Sequence, residues 1–140
     1  MEKALCAATD RHPGSVSVTT RFDEGLAHAI EAGADLFLMP SRYEPCGLNQ
    51  MYSQRYGTPP VAHATGGLAD TIADGETGFL FARAEAGLFL HAVRRAVDLR
   101  QDAGRWREMQ RRAMQRDFSW PAAARQYADL YSRLAMRAPA

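Results

Sequence analysis

Residues 35–70 read DLFLMPSRYEPCGLNQMYSQRYGTPPVAHATGGLAD. Leu36-Phe37-Leu38-Met39 is a continuous apolar run, the pattern of a strand buried on both faces, and it stops at Pro40. A polar loop over 41–47 follows, carrying Glu44, Cys46 and Gly47, and a helical pattern then covers 48–56. Gly57-Thr58-Pro59 ends that helix. Pro60 to His63 reads as the next strand, Gly66-Gly67 as a tight loop, and 68–73 as one or two helical turns. Two strand-to-helix transitions in tandem bring both loops to one edge of a parallel sheet. Open α/β sheets bind ligands at that edge.

The flanking sequence extends the alternation. Residues 2–11 predict a short helix with Ala4, Leu5, Ala7 and Ala8 on its apolar side, stopped by His12-Pro13-Gly14. Val16 and Val18 alternate with Ser15, Ser17 and Thr19, which predicts a strand over 16–20 closed by Phe22. Asp23 is placed to cap a helix running to about Ala32, with Leu26, Ala29 and Ile30 on one face and Gly33 as its C′ residue. Asp74-Gly75 is a turn and 78–81 a last short strand. Beyond it the pattern is helical. A helix over 86–101 carries Leu90, Val93 and Val97 as its stripe, with Leu88 and Phe89 near its start, and Gly104 separates it from a helix over 106–116. Ser119 caps a final helix with Pro121 in its first turn and Tyr127, Leu130, Tyr131 and Leu134 on its apolar face. Trp106 and Trp120 read as packing anchors, and 137–140 as a frayed tail. Alternating helices and strands imply an α/β fold, a parallel sheet with right-handed crossovers.

Composition bounds the function. The 140 residues make one domain, and 46% apolar content suffices for a core. A net charge of +1 provides no field for nucleic acid or an anionic membrane surface. No apolar run approaches a membrane span, and no secretory h-region opens the chain, so a cytoplasmic location is expected. Two cysteines, Cys6 and Cys46, make no disulfide scaffold. No cofactor is indicated: neither loop matches the dinucleotide fingerprint or the P-loop. His12, His28, His63 and His91 form no metal-ligand spacing with the acids and read as structural or surface residues.

The chemistry lies in the two loops. The helix start at Leu48 offers unpaired N–H groups and the positive end of a dipole, which suit a phosphate or pyrophosphate. Gly47 permits close approach, and the Glu44 carboxylate can accept hydrogen bonds from vicinal hydroxyls. Together they suit an anionic, sugar-bearing ligand; alternatively, Glu44 is a solvated loop acid and Gly47 a turn residue. Thr65-Gly66-Gly67 is either a second close-approach site or a tight turn. Phe22 either stacks a base or packs in the core. Cys46 has no base partner in sequence.

Pro40 to Leu48 (PSRYEPCGL), Tyr56-Gly57-Thr58 with Pro60-Val61, and the run from Thr65 to Thr71 (TGGLADT) resemble bacterial glycogen synthases and plant starch synthases. The resemblance starts near Glu2 and reaches Tyr131 through Asp117-Phe118-Ser119-Trp120, and the PSRYEPCGL block is its most specific part. It implies a GT-B glycosyltransferase, with two Rossmann-like domains facing a cleft. The implied reaction transfers glucose from ADP-glucose to the non-reducing end of an α-1,4-glucan, with retention and without a metal. Residues 1–140 match the later part of the C-terminal, nucleotide-sugar-binding domain. The N-terminal domain and the first strands of this one, which bring an arginine and a lysine to the phosphates, have no counterpart in these residues.

By the same resemblance, Glu44 sits beside the glucosyl hydroxyls as the catalytic-site acid. Cys46 and Gly47 contact the sugar through their backbone, and Leu48 and Asn49 face the diphosphate. Phe22 stacks on adenine, Tyr52 lies near the ribose, and Thr65, Gly66 and Gly67 line the cleft. Asn49 replaces the family's usual threonine, His63-Ala64 replace a common basic pair, and the connection from Thr71 to Gly78 is short. A strand order of 3-2-1-4-5-6 would separate strand 16–20 from strand 36–39. Those two strands then either pair directly or leave an exposed edge prone to self-association. Two other readings are a transferase for a UDP- or GDP-sugar, against which PSRYEPCGL argues, and a non-catalytic glucan- or partner-binding module derived from a synthase.

Overall fold

The computed structural model describes residues 2–136; the expected frayed tail at 137–140 lies outside them. Seven helices and three strands follow in the order α1 (Glu2–Arg11), α2 (Glu24–Gly33), β1 (Phe37–Met39), α3 (Asn49–Tyr56), β2 (Pro60–His63), α4 (Gly66–Thr71), β3 (Phe79–Phe81), α5 (Ala86–Arg100), α6 (Ala103–Met114) and α7 (Trp120–Ala135). The strands form one parallel sheet in chain order, β1-β2-β3, with Phe37 opposite Pro60 and Val61 opposite Phe79. This is the expected α/β architecture, a partial Rossmann-like sheet with flanking helices.

Two clusters form the core, one on each face of β2. Val61 joins Phe79, Phe81, Ala92, Ala96, Trp106 and Met109 under α5 and α6, while Ala62 joins Leu68 and Ile72 under α4. Trp106 anchors the first cluster as expected. Helix α5 turns a different face to the sheet from the expected stripe: Leu90 and Val97 are each 46% exposed, and Ala92 and Ala96 are buried. Small side chains let the helix backbone come close to β2 and β3, and the larger residues Leu88, Phe89, Val93 and Leu99 close the margins.

Several expected boundaries move. The alternating segment 16–20 is not a strand: it pairs with nothing, and the Ser15 and Val16 amides donate to His12 O in a turn. Alternation creates two faces, but a strand exists only where a neighbour supplies the ladder. Phe22 therefore closes no strand and stands 93% exposed. Of the two outcomes expected for the sheet, the exposed edge is observed among the described residues. β1 has a neighbour on one side only and is half-exposed, with Leu38 48% accessible, rather than buried on both faces.

Asp23 caps α2 as expected, its Oδ1 accepting from Leu26 N at 3.0 Å. Gly33, however, is the last helical residue, and Ala34 caps in an extended conformation. The inward side of α2 is marked by buried Glu31, not by Ile30, which is 56% exposed. Gly66-Gly67 is no separate loop but the first two residues of α4. Likewise Gly104 lies inside α6, because Asp102 caps that helix by accepting from Gly104 N and Arg105 N. Ser119 stands at the cap position of α7 with no side-chain bond to it. Neither α1 nor α7 buries any residue, and Trp120, expected as an anchor, is 85% exposed.

Candidate functional site

Parallel β1 and β2 end side by side, so the loops that leave them share one edge of the sheet. The first loop is tied down at its start: His63 Nδ1 lies 3.0 Å from Ser41 O, and the imidazole stacks on Phe81 with centroids 5.5 Å apart. At its end Gly47 adopts φ +69°, in the left-handed region where a side chain is strained, and turns the chain into α3. No side chain caps α3, since Leu48 holds the N-cap position. The first-turn amides of an uncapped helix offer donors to an anion.

The two loops interlock. Gly67 N donates to Glu44 O at 3.1 Å and to Pro45 O at 3.3 Å. A Cβ on Gly66 would run into the carbonyl oxygen of Glu44, and one on Gly67 into that of Cys46. The glycine pair thus allows the two backbones to touch. Fully buried Gln50 completes the joint. Its Nε2 donates to Cys46 O and Gly47 O, both at 3.0 Å, and to Thr71 Oγ1 at 3.2 Å. Thr71 Oγ1 in turn donates to Gly67 O at 2.5 Å. Gln54 Nε2 bonds Gln50 O and Thr71 O. The Glu44–Gly47 backbone is held from two elements, α3 and α4, while His63 at the end of β2 holds the loop's start at Ser41.

This brings most of the expected residues together. Glu44 is half-buried, and its carboxylate takes no hydrogen bond or ion pair among the described residues, which leaves it available as an acceptor. Exposed Cys46, half-buried Gly47, and exposed Leu48 and Asn49 follow on the same turn, with Thr65, Gly66 and Gly67 facing them across the joint. Tyr52, 41% exposed, lies one turn along α3. Phe22 is set apart, on the loop before α2, and makes no ring contact with the others among the described residues. A cavity of about 520 Å³ lies between α3 and residues 115–119. It takes Leu48 and Tyr52 from the expected set and none of the Glu44–Gly47 loop, so it flanks the sugar-facing loop rather than containing it.

Gln50, Thr71, His28 and Glu31 were not singled out by sequence reasoning as site residues. A signal for Gln50 existed: α3 sits between two strands yet carries polar residues at 50, 53 and 54, all buried. A buried polar stripe on a helix implies hydrogen-bonding work. His28 of α2 packs against Tyr52 and Tyr56. Below it Glu31 is only 4% exposed, with Oε2 unpartnered. Burial pushes the Glu31 carboxyl above the ordinary range, partly offset by attraction to His28. Among the described residues no group of three His, Cys, Asp or Glu is arranged to hold a metal, no helix is long and apolar enough to cross a membrane, and Cys6 and Cys46 are free thiols.

Residues 8–113 match the family model "Glycosyl transferases group 1". Glycogen synthase of Paracidovorax citrulli is 53% identical over 99% of this chain and 28% of its own length. That of Halorhodospira halophila is 51% identical over 96% and 29%. The chain therefore spans less than a third of the curated relatives it matches. Among solved structures, the catalytic domain of starch synthase IV from Arabidopsis thaliana, bound to ADP and acarbose, superposes with TM-score 0.83 and 35% identity over 96% of this chain and 30% of that one. Sucrose-phosphate synthase from Thermosynechococcus elongatus gives 0.70 and 26% over 97% and 35%. With a parallel α/β fold shared with these enzymes and a family match over most of its length, the chain belongs to the glycosyl transferases group 1 family.

Proposed function

We propose that this chain forms the donor-binding wall of an ADP-glucose-dependent α-1,4-glucan synthase, as the later part of its nucleotide-sugar-binding domain. The parent reaction transfers glucose, with retention, to the non-reducing end of an α-1,4-glucan. The observation that carries this is the interlock of the Glu44–Gly47 loop with Gly66-Gly67 beside the uncapped start of α3. On this reading Glu44 binds the glucosyl hydroxyls, and the Cys46 and Gly47 backbone lies against the sugar. Leu48 and Asn49 seat the diphosphate, Tyr52 faces the ribose, Phe22 stacks on adenine, and Thr65-Gly66-Gly67 line the cleft. The opposing wall and the cations that stabilise a leaving diphosphate belong to polypeptide outside these 140 residues.

The chain by itself is then a weak nucleotide binder and no catalyst. Calorimetric titration with ADP tests this, with a Kd above about 0.1 mM expected. Micromolar affinity would show that the missing cations are dispensable, and turnover of ADP-glucose on glycogen would refute the half-site reading outright. Titration with UDP alongside ADP tests the donor preference. The free side of β1 also carries an expectation of self-association, since an unpaired strand edge is a template for another chain. Sedimentation velocity should show a concentration-dependent dimer that a Leu38→Lys substitution abolishes. The exposed aromatic residues Trp120, Tyr127 and Tyr131 on α7 favour a second reading, a non-catalytic glucan- or partner-binding module. Co-sedimentation with glycogen without turnover would support it.

A further inference from the structure

We infer that His28 is a positioning residue that sets the ring of Tyr52 on the nucleoside side of the donor site. The inference rests on the donor-site reading above. Tyr52 and Tyr56 lie four residues apart on α3 and share a face. The His28 imidazole reaches both from α2: its centroid is 5.3 Å from Tyr52, tilted 58°, and 5.9 Å from Tyr56, edge-on at 66°. The Tyr56 hydroxyl lies 3.3 Å from His28 Nδ1 and donates to it when the ring carries its proton on Nε2. The two tyrosines thus divide the work. Tyr56 spends its hydroxyl holding the imidazole, and the imidazole supports one side of Tyr52. The Tyr52 hydroxyl has no partner among the described residues, and the ring is 41% exposed. A ring braced on one side and open on the other is oriented toward a ligand without being consumed by the fold.

The platform under His28 is rigid. One turn further along α2, Glu31 is buried, and its backbone carbonyl accepts from Thr58 Oγ1 at 2.6 Å. The same hydroxyl donates to Ala34 O at 3.2 Å. Thr58 follows the end of α3, so one side chain fixes the end of α2 to the end of α3. At the other end of α2, the Asp23 cap follows directly on Phe22. The proposed adenine-stacking residue therefore lies just before the cap of α2, and the brace for the proposed ribose contact lies in the middle of that helix. The expected role is recognition of the nucleoside, leaving the diphosphate seat at Leu48 and Asn49 untouched.

The test uses the whole 140-residue chain and two probes, ADP and inorganic pyrophosphate, each titrated by NMR. Pyrophosphate reports the diphosphate seat alone. His28→Ala should weaken ADP roughly 2- to 10-fold, the range for an aromatic pair, and leave pyrophosphate unchanged. His28→Phe, which keeps the ring and loses Nδ1, should recover most of the ADP affinity. Equal loss for both probes, or unchanged ADP binding in His28→Ala, would overturn the inference and leave the donor-site reading standing. Should ADP bind the isolated chain too weakly to titrate, as the missing half of the cleft allows, labelled-tyrosine spectra decide the brace. The Tyr52 ring resonances must shift in His28→Ala while the backbone amide spectrum of β2 and β3 stays in place. An unmoved Tyr52 ring overturns the inference in that case too.

Discussion

Replacing Gly67 by alanine tests the joint on which the site is built. The new Cβ would stand 2.8 Å from Cys46 Cα and 2.9 Å from its carbonyl carbon, and it would overlap the carbonyl oxygen. These are backbone atoms, so no rotamer change relieves the clash. The Glu44–Gly47 loop must retreat, and the 3.1 Å bond from Gly67 N to Glu44 O goes with it. Overpacking of this kind costs about 1–3 kcal/mol, and a lost hydrogen bond adds about 0.5–1.5 kcal/mol. The sum is about 1.5–4.5 kcal/mol, and with a urea m-value near 2 kcal/mol/M the unfolding midpoint should fall by about 0.8–2.2 M. Gly87→Ala is the control: Gly87 lies in the first turn of α5 and a Cβ there meets nothing within 4 Å. That variant should gain up to about 1 kcal/mol from helix propensity. If Gly67→Ala unfolds at or above the wild-type midpoint, the two loops do not touch as described, and the donor wall built on them fails with it.

Gln50→Leu fills the same volume but removes every donor to Cys46 O, Gly47 O and Thr71 Oγ1. It should cost about 2–4 kcal/mol by urea unfolding and raise hydrogen exchange across 44–48. Trp106→Ala empties the centre of the larger core cluster and should cost about 3–5 kcal/mol, read by the same assay. Glu31 supplies a pH test. Its folded carboxyl titrates above the unfolded one, so the unfolded chain loses the proton first as pH rises, and stability falls from the ordinary carboxylate range up to the folded pKa. Glu31→Gln removes that slope. The variant should gain on wild type as pH rises through and above the ordinary carboxylate range, and parallel stability curves would contradict the burial effect.

The elements whose signals are local were legible. Asp23 caps α2, Gly57 ends α3 in a left-handed conformation, and the apolar runs at 37–39, 60–63 and 79–81 are parallel strands. Phe22 and the segment 16–20 were misread because alternation shows faces but not a pairing partner. Of the stripe expected on α5, Val93 packs against the core but Leu90 and Val97 face solvent; both outrank alanine on any apolar scale, whereas the distance between helix and sheet decides which fits. The joint at Gly67 was read only as two separate glycine-bearing loops. Nothing local says that the Glu44 carbonyl will meet an amide more than twenty residues away.

By itself the sequence determined the helix and strand alternation, the shared sheet edge for the two loops and, through PSRYEPCGL and TGGLADT, the family. Capping, chain reversal and periodicity act over a few residues, so their signals are written locally. Only the tertiary structure decided that Gln50 is a buried clamp, that Gly66 and Gly67 are needed for the absence of a Cβ, and that His28 braces Tyr52. It also decided that β1 is an open edge and that α1 and α7 bury nothing. Each depends on the space left between backbones distant in sequence, and that space exists only once the sheet and its helices have packed.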